Sequence, residues 1–302
     1  MAQPKTAKKN KAGQQPASSG LSTGSHGVEP AGWPSLKTKP KLKVDTIIRS
    51  QIMTVNDLLT EDECGRVIRA LDHLRTADGH ALQFETTSRV PKRGEAFRFN
   101  DRISFHDPVF AHTLWSKTGL KTSCESWLRE QGNHHTQQST RCWGLNPNLR
   151  FYRYRVGHKF EKHFDESVQI SKSDLPIPSE SESEMPETLW TEYTLLIYLT
   201  GTKETSHQRT RKEGGGDDRP GSSKVRTEAD SEPLQGGETV FYNTPIRSQK
   251  RLAQDHSSVA ASVTPVAGLA LIHRHGSECL LHEARQVTAG AKYVLRSDLV
   301  FG

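Results

Sequence analysis

Residues 149–155 read LRFYRYR and begin the series of short segments that decides the fold. The series continues with YTLLIYLT (193–200), GETVFY (237–242), SVAASV (258–263), LALIHRH (269–275), ECLLHE (278–283) and KYVLRSDLVF (292–301). Each segment is rich in aromatic or β-branched residues, and turn-forming residues separate it from the next, which is typical of antiparallel strands. The second half of the chain therefore predicts a β-sandwich or jelly roll.

A helical layer is expected ahead of these strands. Thr60 and Glu63 have the spacing of a capping box, and apolar residues follow at helical intervals from Cys64. A second helix is predicted to begin after Asp107-Pro108 and a third to cover 120–131. The sequence thus predicts an α+β protein that is mainly β.

The charge of the chain is concentrated at its N-terminus. The 302 residues have a net charge of +6, and residues 1–43 hold eight lysines, no arginine and one acidic residue. The remainder has 33 basic and 34 acidic residues and is almost neutral. We therefore predict a disordered, Lys-rich tail over 1–43 and one folded domain over 44–302. A neutral domain argues against nucleic acid as a partner, although the tail keeps that partner open.

Two internal segments have the composition of mobile insertions. Residues 171–189 contain a Ser/Glu run between prolines, and residues 201–236 are rich in Gly and charged residues. No segment approaches the about 20 apolar residues of a membrane helix, and the N-terminus lacks a secretory signal. Four scattered cysteines fit a reducing compartment. We expect a cytoplasmic or nuclear protein that does not contact membranes.

Metal-ligating residue types lie inside the predicted strands. His163 and Asp165 are two residues apart, so they share one face of an extended chain and could hold one cation. A histidine from a later strand would complete two imidazoles and one carboxylate, the ligand set of non-heme Fe(II) oxygenases. The candidates for it are His273, His275 and His282. Taken alone, the His-x-Asp tripeptide is weak evidence for a metal site and is better explained as a surface pair on a strand.

The strand motifs taken together resemble a known family. They are RYRVGHKFEKHFDES (153–167), YTLLIYL (193–199), GGETVFY (236–242) and the region 265–301. In this order they resemble the Fe(II)/2-oxoglutarate dioxygenase superfamily, in its prolyl 4-hydroxylase alpha-subunit-like branch, over residues 44–302. The resemblance implies a double-stranded β-helix (jelly-roll) core with supporting N-terminal helices. It also implies Fe(II) and 2-oxoglutarate as cofactors, O2 as co-substrate, and ascorbate as a candidate reductant.

The resemblance assigns the site residue by residue. His163, Asp165 and His282 match the iron ligands, with His275 as the alternative distal ligand. Lys292, ten residues after His282, matches the basic partner of the distal carboxylate of 2-oxoglutarate. The cofactor-binding residues implied in this way are Lys292 and Tyr154, with Arg296 as a further candidate. Arg296 could instead face outward and form a surface ion pair.

A second group of residues is expected near the substrate. Arg98, Asn100 and Arg102 are predicted to share one side of an extended segment at the pocket mouth, where relatives carry a similar segment. The alternative is ordinary strand polarity. Glu238 either orients a ligand or is a simple carboxylate at a strand start.

The resemblance implies hydroxylation of a C–H bond with release of succinate and CO2. Asp165 favours hydroxylation over halogenation, because related halogenases replace this carboxylate with a small residue. The first expected substrate is a prolyl residue of a protein, and a small molecule is also open. The alternatives are an oxidative demethylase of nucleic acid and a non-catalytic metal-binding scaffold.

Overall fold

The computed structural model describes residues 32–75, 79–88, 90, 95–131, 141–175, 184–202, 232–243 and 258–302. In these ranges the strands are β1 Val44–Ile48, β2 Ile52–Val55, β3 Glu85–Thr86, β4 Arg98–Phe99, β5 Asp101–His106, β6 Cys142–Leu145, β7 Asn148–Tyr154, β8 Lys159–His163, β9 Gln169–Ser171, β10 Thr188–Tyr198, β11 Gln235–Gly236, β12 Thr239–Tyr242, β13 Val259–Val263, β14 Ala270–Arg274, β15 Leu281–Ala284, β16 Val287–Ala289 and β17 Lys292–Phe301. The helices are α1 Glu61–Leu71, α2 Pro108–Lys117 and α3 Leu120–Glu130. None of the helices in these ranges has the length and apolar character needed to cross a membrane.

The strands form two main antiparallel sheets. The major sheet has the order β1-β2-β14-β10-β17-β7-β5-β3, with β6 also paired to β17 and β9 to β10. The minor sheet has the order β13-β12-β15-β8-β4, and β11 pairs with β16 in a separate ribbon. The predicted mainly β fold, a jelly-roll core with supporting helices, is confirmed.

The three helices pack on one face of the major sheet. Val67 of α1, Leu114 of α2 and Trp127 of α3 share a buried cluster with Leu195 and Leu295 of the central strands. The alternate residues of β17 point the other way, toward the minor sheet, as expected from the two-residue period of a strand. The predicted capping box of α1 is present: Thr60 accepts the Glu63 backbone N–H at 3.1 Å, and Glu63 accepts the Thr60 N–H at 2.7 Å.

The predicted tail extends too far into the folded domain. Residues 1–31 lie outside the described residues, but 32–43 pack against the helices. Trp33 stacks on Phe110 with ring centroids 4.1 Å apart and donates a hydrogen bond to Asp107 at 2.8 Å. Leu36 is buried in the main core. The prediction of disorder was wrong for 32–43, because two large apolar side chains anchor an otherwise polar segment.

Both segments predicted as mobile insertions include residues that belong to the folded core. Leu175 and Met185 are buried together with Leu189, so both ends of the 171–189 segment belong to the core. Leu234 packs on Tyr152 at the end of the 201–236 segment. Residues 176–183 and 203–231 lie outside the described residues.

Candidate metal and anion site

Two neighbouring strands of the minor sheet bring the predicted metal ligands together. His163 ends β8 and is the direct cross-strand partner of His282 in β15, so the two imidazoles lie side by side with ring centroids 4.2 Å apart. Asp165 follows β8. Its carboxylate oxygens lie 3.9 Å from Nε2 of His163 and 3.6 Å from Nε2 of His282. One ligand atom from each residue fits within 4.8 Å of the other two.

Backbone carbonyls orient both imidazoles. Nδ1 of His163 lies 2.7 Å from the carbonyl oxygen of Glu161, and Nδ1 of His282 lies 2.9 Å from that of Leu280. A proton on Nδ1 that is donated to a carbonyl leaves the lone pair on Nε2. Histidines that bind metals are commonly held in this way. Nε2 of each ring therefore faces Asp165 and is the nitrogen available to a cation.

Asp165 is buried and remains ionised. Its carboxylate accepts hydrogen bonds from the Thr194 hydroxyl at 2.8 Å and from the Arg296 guanidinium at 3.0 Å. Burial alone would raise the pKa of Asp165, but Arg296 and the neighbouring imidazoles hold that pKa well below its ordinary value. The carboxylate is thus available to a cation.

The two imidazoles differ in their protonation. Burial lowers the pKa of His163 to about 3, so this ring is neutral at physiological pH. Burial acts in the same direction on His282, but the hydrogen bond and charge of Asp165 outweigh it and raise the pKa of His282 to about 10. A divalent cation that binds between these groups would take the place of that proton.

The other end of the site holds a buried lysine. Lys292 begins β17 and is the cross-strand partner of Tyr154 in β7. Its Nζ donates to the carbonyl oxygen of Gly237 at 2.6 Å and lies 5.4 Å and 5.1 Å from the ring centroids of Tyr154 and Tyr198. Within the described part of the chain, Lys292 has no carboxylate at ion-pair distance. Burial lowers the pKa of Lys292 to about 7, and the charge of Glu238 opposes this only in part.

The metal ligands and the lysine line one pocket. His163, Asp165 and His282 form one end, and Lys292 and Tyr154 form the other. Burial raises the pKa of the Tyr154 hydroxyl, which therefore stays protonated and can donate a hydrogen bond. Apolar groups from Leu196 and Val294 form the wall between the ends. The pocket thus combines residues that could hold a divalent cation with donors that could bind a carboxylate.

Arg296 lies at the metal end of the pocket. Its guanidinium pairs with Asp165 and also with Asp298, at 3.0 and 3.5 Å. Its side chain is only 13% exposed, so the alternative of an outward-facing surface ion pair is wrong. The guanidinium is placed to hold Asp165. Lys292, in contrast, has no carboxylate at ion-pair distance among the described residues.

His275 does not belong to the ligand cluster. Its Nδ1 lies 3.0 Å from the Thr194 hydroxyl and its Nε2 lies 3.0 Å from the Thr191 hydroxyl. Both ring nitrogens are therefore engaged by the protein. The geometry favours His282 over His275 as the distal ligand.

The residues expected at the substrate lie in two sheets. Arg98 is in β4 of the minor sheet, Arg102 is in β5 of the major sheet, and the buried Asn100 is the crossing point. Asn100 hydrogen-bonds the Tyr154 hydroxyl and the charge of Arg98 acts on it, so both lie near the pocket, and the role expected for the three residues stays a prediction. The Arg98 guanidinium lies 5.2 Å from the ring centroid of Phe160, which lines the pocket.

Thr194 was not assigned a role from the sequence, and His273 was a candidate for the third ligand that the resemblance did not select. Thr194 donates to Asp165 from β10, and His273 of β14 lies beside Thr194 as its cross-strand partner. Nε2 of His273 is 3.9 Å from a carboxylate oxygen of Asp165. His273, Cys279 and His282 form a second group with metal-ligand spacing. Only the register of β10 with β14, which no local pattern reveals, could have identified Thr194.

The comparisons with known proteins give distant structural similarity. No protein-family model and no curated protein matches the chain. The chain is similar to the 2OG complex of the viral collagen prolyl hydroxylase of Paramecium Bursaria Chlorella virus-1, with 14% identity over 84% of this chain and 97% of that chain and a TM-score of 0.41. A Pseudomonas putida prolyl-4-hydroxylase has 11% identity over 83% and 92%, with a TM-score of 0.40. OsALKBH1 has 11% identity over 85% and 99%, with a TM-score of 0.45.

Proposed function

We propose that this protein is an Fe(II)- and 2-oxoglutarate-dependent dioxygenase that hydroxylates a C–H bond and releases succinate and CO2. The observation that carries the proposal is one pocket with a His163–Asp165–His282 cluster at one end and the buried Lys292 at the other. Two imidazoles and one carboxylate on one face leave open positions on the ion, as non-heme iron oxygenases require. A scaffold would need a cation site but no buried lysine beside it.

Lys292 supports 2-oxoglutarate as the co-substrate. A charged ammonium in an apolar pocket is unfavourable unless an anion pairs with it. The Gly237 carbonyl satisfies one of its protons but supplies no net charge. A ligand carboxylate that reaches this end would gain a charge-assisted hydrogen bond from Lys292 and a second bond from the Tyr154 hydroxyl. A dicarboxylate with a 2-oxoacid group carries one chelating group for the cation and one carboxylate for Lys292.

The roles of the residues follow from their contacts. Iron, when bound, supplies the activation of O2 that is coupled to oxidative decarboxylation of 2-oxoglutarate. His163, Asp165 and His282 would hold the iron. Arg296 and Thr194 each bind one oxygen of Asp165 and fix the orientation of the carboxylate.

The decisive experiment is anaerobic addition of Fe(II) and 2-oxoglutarate to the full-length protein. We expect the visible charge-transfer band of an iron-chelated 2-oxoacid in the wild type, its loss in Asp165→Ala, and its weakening in Lys292→Ala. Lys121→Ala, which removes a lysine that is 53% exposed on α3, is the matched control and should retain the band. Absence of the band from folded wild-type protein would contradict the proposal and favour the scaffold alternative.

The proposed substrate is a prolyl residue of a protein, and this choice rests on the resemblance of the strand motifs. Proline-containing peptides should increase succinate release, and mass spectrometry should detect the addition of one oxygen atom. Ascorbate should be tested as an accessory reductant. Stimulation by a methylated oligonucleotide, with none by peptides, would instead assign the protein to oxidative demethylation.

A further inference from the structure

A buried amide lies beside the hydroxyl of Tyr154 at the lysine end of the pocket. Asn100 is fully buried and stands where the chain passes from β4 of the minor sheet to β5 of the major sheet. Its side chain forms a hydrogen bond with the Tyr154 hydroxyl. Apart from this hydroxyl, Nδ2 of Asn100 has no hydrogen-bond partner among the described residues. Buried polar atoms are nearly always paired, so the contact with Tyr154 is the one that satisfies this amide.

The pKa of Tyr154 shows which group donates in this hydrogen bond. Burial raises that pKa, and the hydrogen bond with Asn100 opposes the shift. A hydrogen bond lowers the pKa of a hydroxyl when it stabilises the charged oxygen, which can only accept. The amide nitrogen of Asn100 therefore donates and the Tyr154 oxygen accepts. The amide oxygen has a different neighbour, because the Thr87 hydroxyl is a donor to it at 3.5 Å.

The backbone on both sides of this contact is held by ion pairs. Arg153 and Arg155 flank Tyr154 in the chain. Both pair with the fully buried carboxylate of Asp101, at 2.9 and 3.0 Å, and Asp101 is the cross-strand partner of Arg153. Successive residues of an extended chain point to opposite sides, so Tyr154 and Asn100 meet on the side away from these ion pairs. The ion pairs thus fix the amide relative to the hydroxyl.

The donated amide hydrogen decides where the proton of Tyr154 can go. A tyrosine hydroxyl has one proton, and Asn100 occupies an acceptor position of its oxygen. The proton must therefore point to another acceptor. Lys292 lies beside the Tyr154 ring, with Nζ 5.4 Å from the ring centroid, but a charged ammonium has only donors. A ligand carboxylate that binds to Lys292 is an acceptor of the right kind for this proton.

We propose that Asn100 is a positioning residue, which turns the Tyr154 hydroxyl so that its proton is donated to the distal carboxylate of 2-oxoglutarate. This inference rests on the proposed function and adds one residue to it. Tyr154 lines the pocket and Asn100 does not, so the amide acts through the hydroxyl. Loss of the amide should weaken ligands that have a distal carboxylate and spare those that have none.

The test compares 2-oxoglutarate with pyruvate, a 2-oxoacid without a distal carboxylate, in full-length protein loaded with Co(II). Calorimetry gives the dissociation constants for wild type, Asn100→Ala and Asn100→Asp, with the exposed Asn148→Ala of β7 as the matched control. We expect Asn100→Ala to bind 2-oxoglutarate about three- to tenfold more weakly and pyruvate equally well. Asn100→Asp should lose more, because its carboxylate accepts the Tyr154 proton itself. Asn148→Ala should match the wild type.

A double variant separates positioning from a merely structural role. In the Tyr154→Phe background, Asn100→Ala should cause no further loss of 2-oxoglutarate affinity, because the hydroxyl on which the amide acts is gone. Thermal unfolding without ligand shows whether each variant folds. The inference is overturned by an equal loss for both 2-oxoacids, by the same loss with and without the hydroxyl, or by unchanged 2-oxoglutarate affinity in a folded Asn100 variant.

Infrared spectroscopy of the wild type tests the contact without any variant of Asn100. The carbon–oxygen stretch of a tyrosine differs between a hydroxyl that only donates and one that also accepts, and the Tyr154 band is the one that Tyr154→Phe lacks. With 2-oxoglutarate bound, we expect Tyr154 to donate and accept. A hydroxyl that only donates would overturn the inference even if the Asn100 variants fail to fold. Wild-type protein that binds 2-oxoglutarate no better than pyruvate would overturn the proposed function as well, so the two failures are distinguishable.

Discussion

Replacing Lys292 with methionine should increase the stability of the protein while it removes the binding of 2-oxoglutarate. The lysine is fully buried, and among the described residues its hydrogen-bond partner is the Gly237 carbonyl. Methionine is unbranched, has a similar length and fills apolar space with little strain. The substitution therefore removes a buried ammonium with little change in packing.

The magnitude follows from the pKa of Lys292, which falls from 10.5 to about 7 on folding. At pH 7 the unfolded chain holds this proton fully and the folded protein holds it about half of the time. With about 1.4 kcal/mol for each tenfold change in the ionisation constant, the folded state is destabilised by roughly 4 kcal/mol. The penalty is present below the folded pKa and disappears as the pH rises toward 10.5. Near pH 9.5 it is about 1 kcal/mol.

Methionine also leaves the Gly237 carbonyl without its partner, at a cost of about 1–3 kcal/mol. We therefore expect Lys292→Met to be more stable than the wild type by about 1–3 kcal/mol at pH 7. At pH 9.5 the variant should be equally stable or less stable. The assay is urea-induced unfolding at both pH values without 2-oxoglutarate, with Lys121→Met as the exposed control. A difference between Lys292→Met and wild type that is the same at both pH values would refute the reasoning.

Three further results are expected from the same site and its supporting helix. The affinity of the wild type for 2-oxoglutarate should fall by roughly 25-fold from pH 6.5 to 8.5, because Lys292 loses its proton with a pKa of about 7. Calorimetry in different buffers should detect proton uptake on binding at pH 8, and a flat pH profile would contradict this. His282→Ala should lose Co(II) binding, whereas His275→Ala should retain it and lose about 1–3 kcal/mol of stability. The reverse outcome would make His275 the ligand. Thr60→Ala should cost about 1 kcal/mol in thermal unfolding and leave Co(II) affinity unchanged, because it removes only the cap of α1.

The sequence predicted the elements whose signals are local. The first helix begins at its capping box because Thr60 and Glu63 bind each other's backbone within one turn. Strands were recognisable because each carries its apolar side chains in a short run. The packing of 32–43 could not be predicted in this way. Trp33 is stabilised by Phe110 and Asp107, more than seventy residues away, and nothing in its neighbourhood indicates that partner.

The residues of the candidate site likewise include some with a local sequence signal and some without one. His163 and Asp165 are two residues apart, so their shared face was visible in the sequence before any fold was known. Thr194 and His273 are direct partners in the pairing of β10 with β14, and both reach Asp165 from the opposite sheet. Their convergence depends on the register of two strands that are distant in sequence. A shift of that register by one residue would point both side chains toward the helices.

The ten-residue spacing between His282 and Lys292 has a physical cause in this fold. His282 lies in the minor sheet and Lys292 in the major sheet, so the chain between them crosses from one sheet to the other. Facing sheets are about 10 Å apart, and the crossing includes β16 and a turn at Gly290. Gly290 has a φ of 66°, and a Cβ there would lie 2.5 Å from the Glu232 carbonyl oxygen, so only glycine fits this turn. The crossing fixes the register in which Lys292 meets Tyr154, and one residue more or less would point the ammonium toward the helices instead of the metal ligands. The spacing therefore couples the two ends of the pocket, because the strand that holds His282 also determines where Lys292 enters the facing sheet.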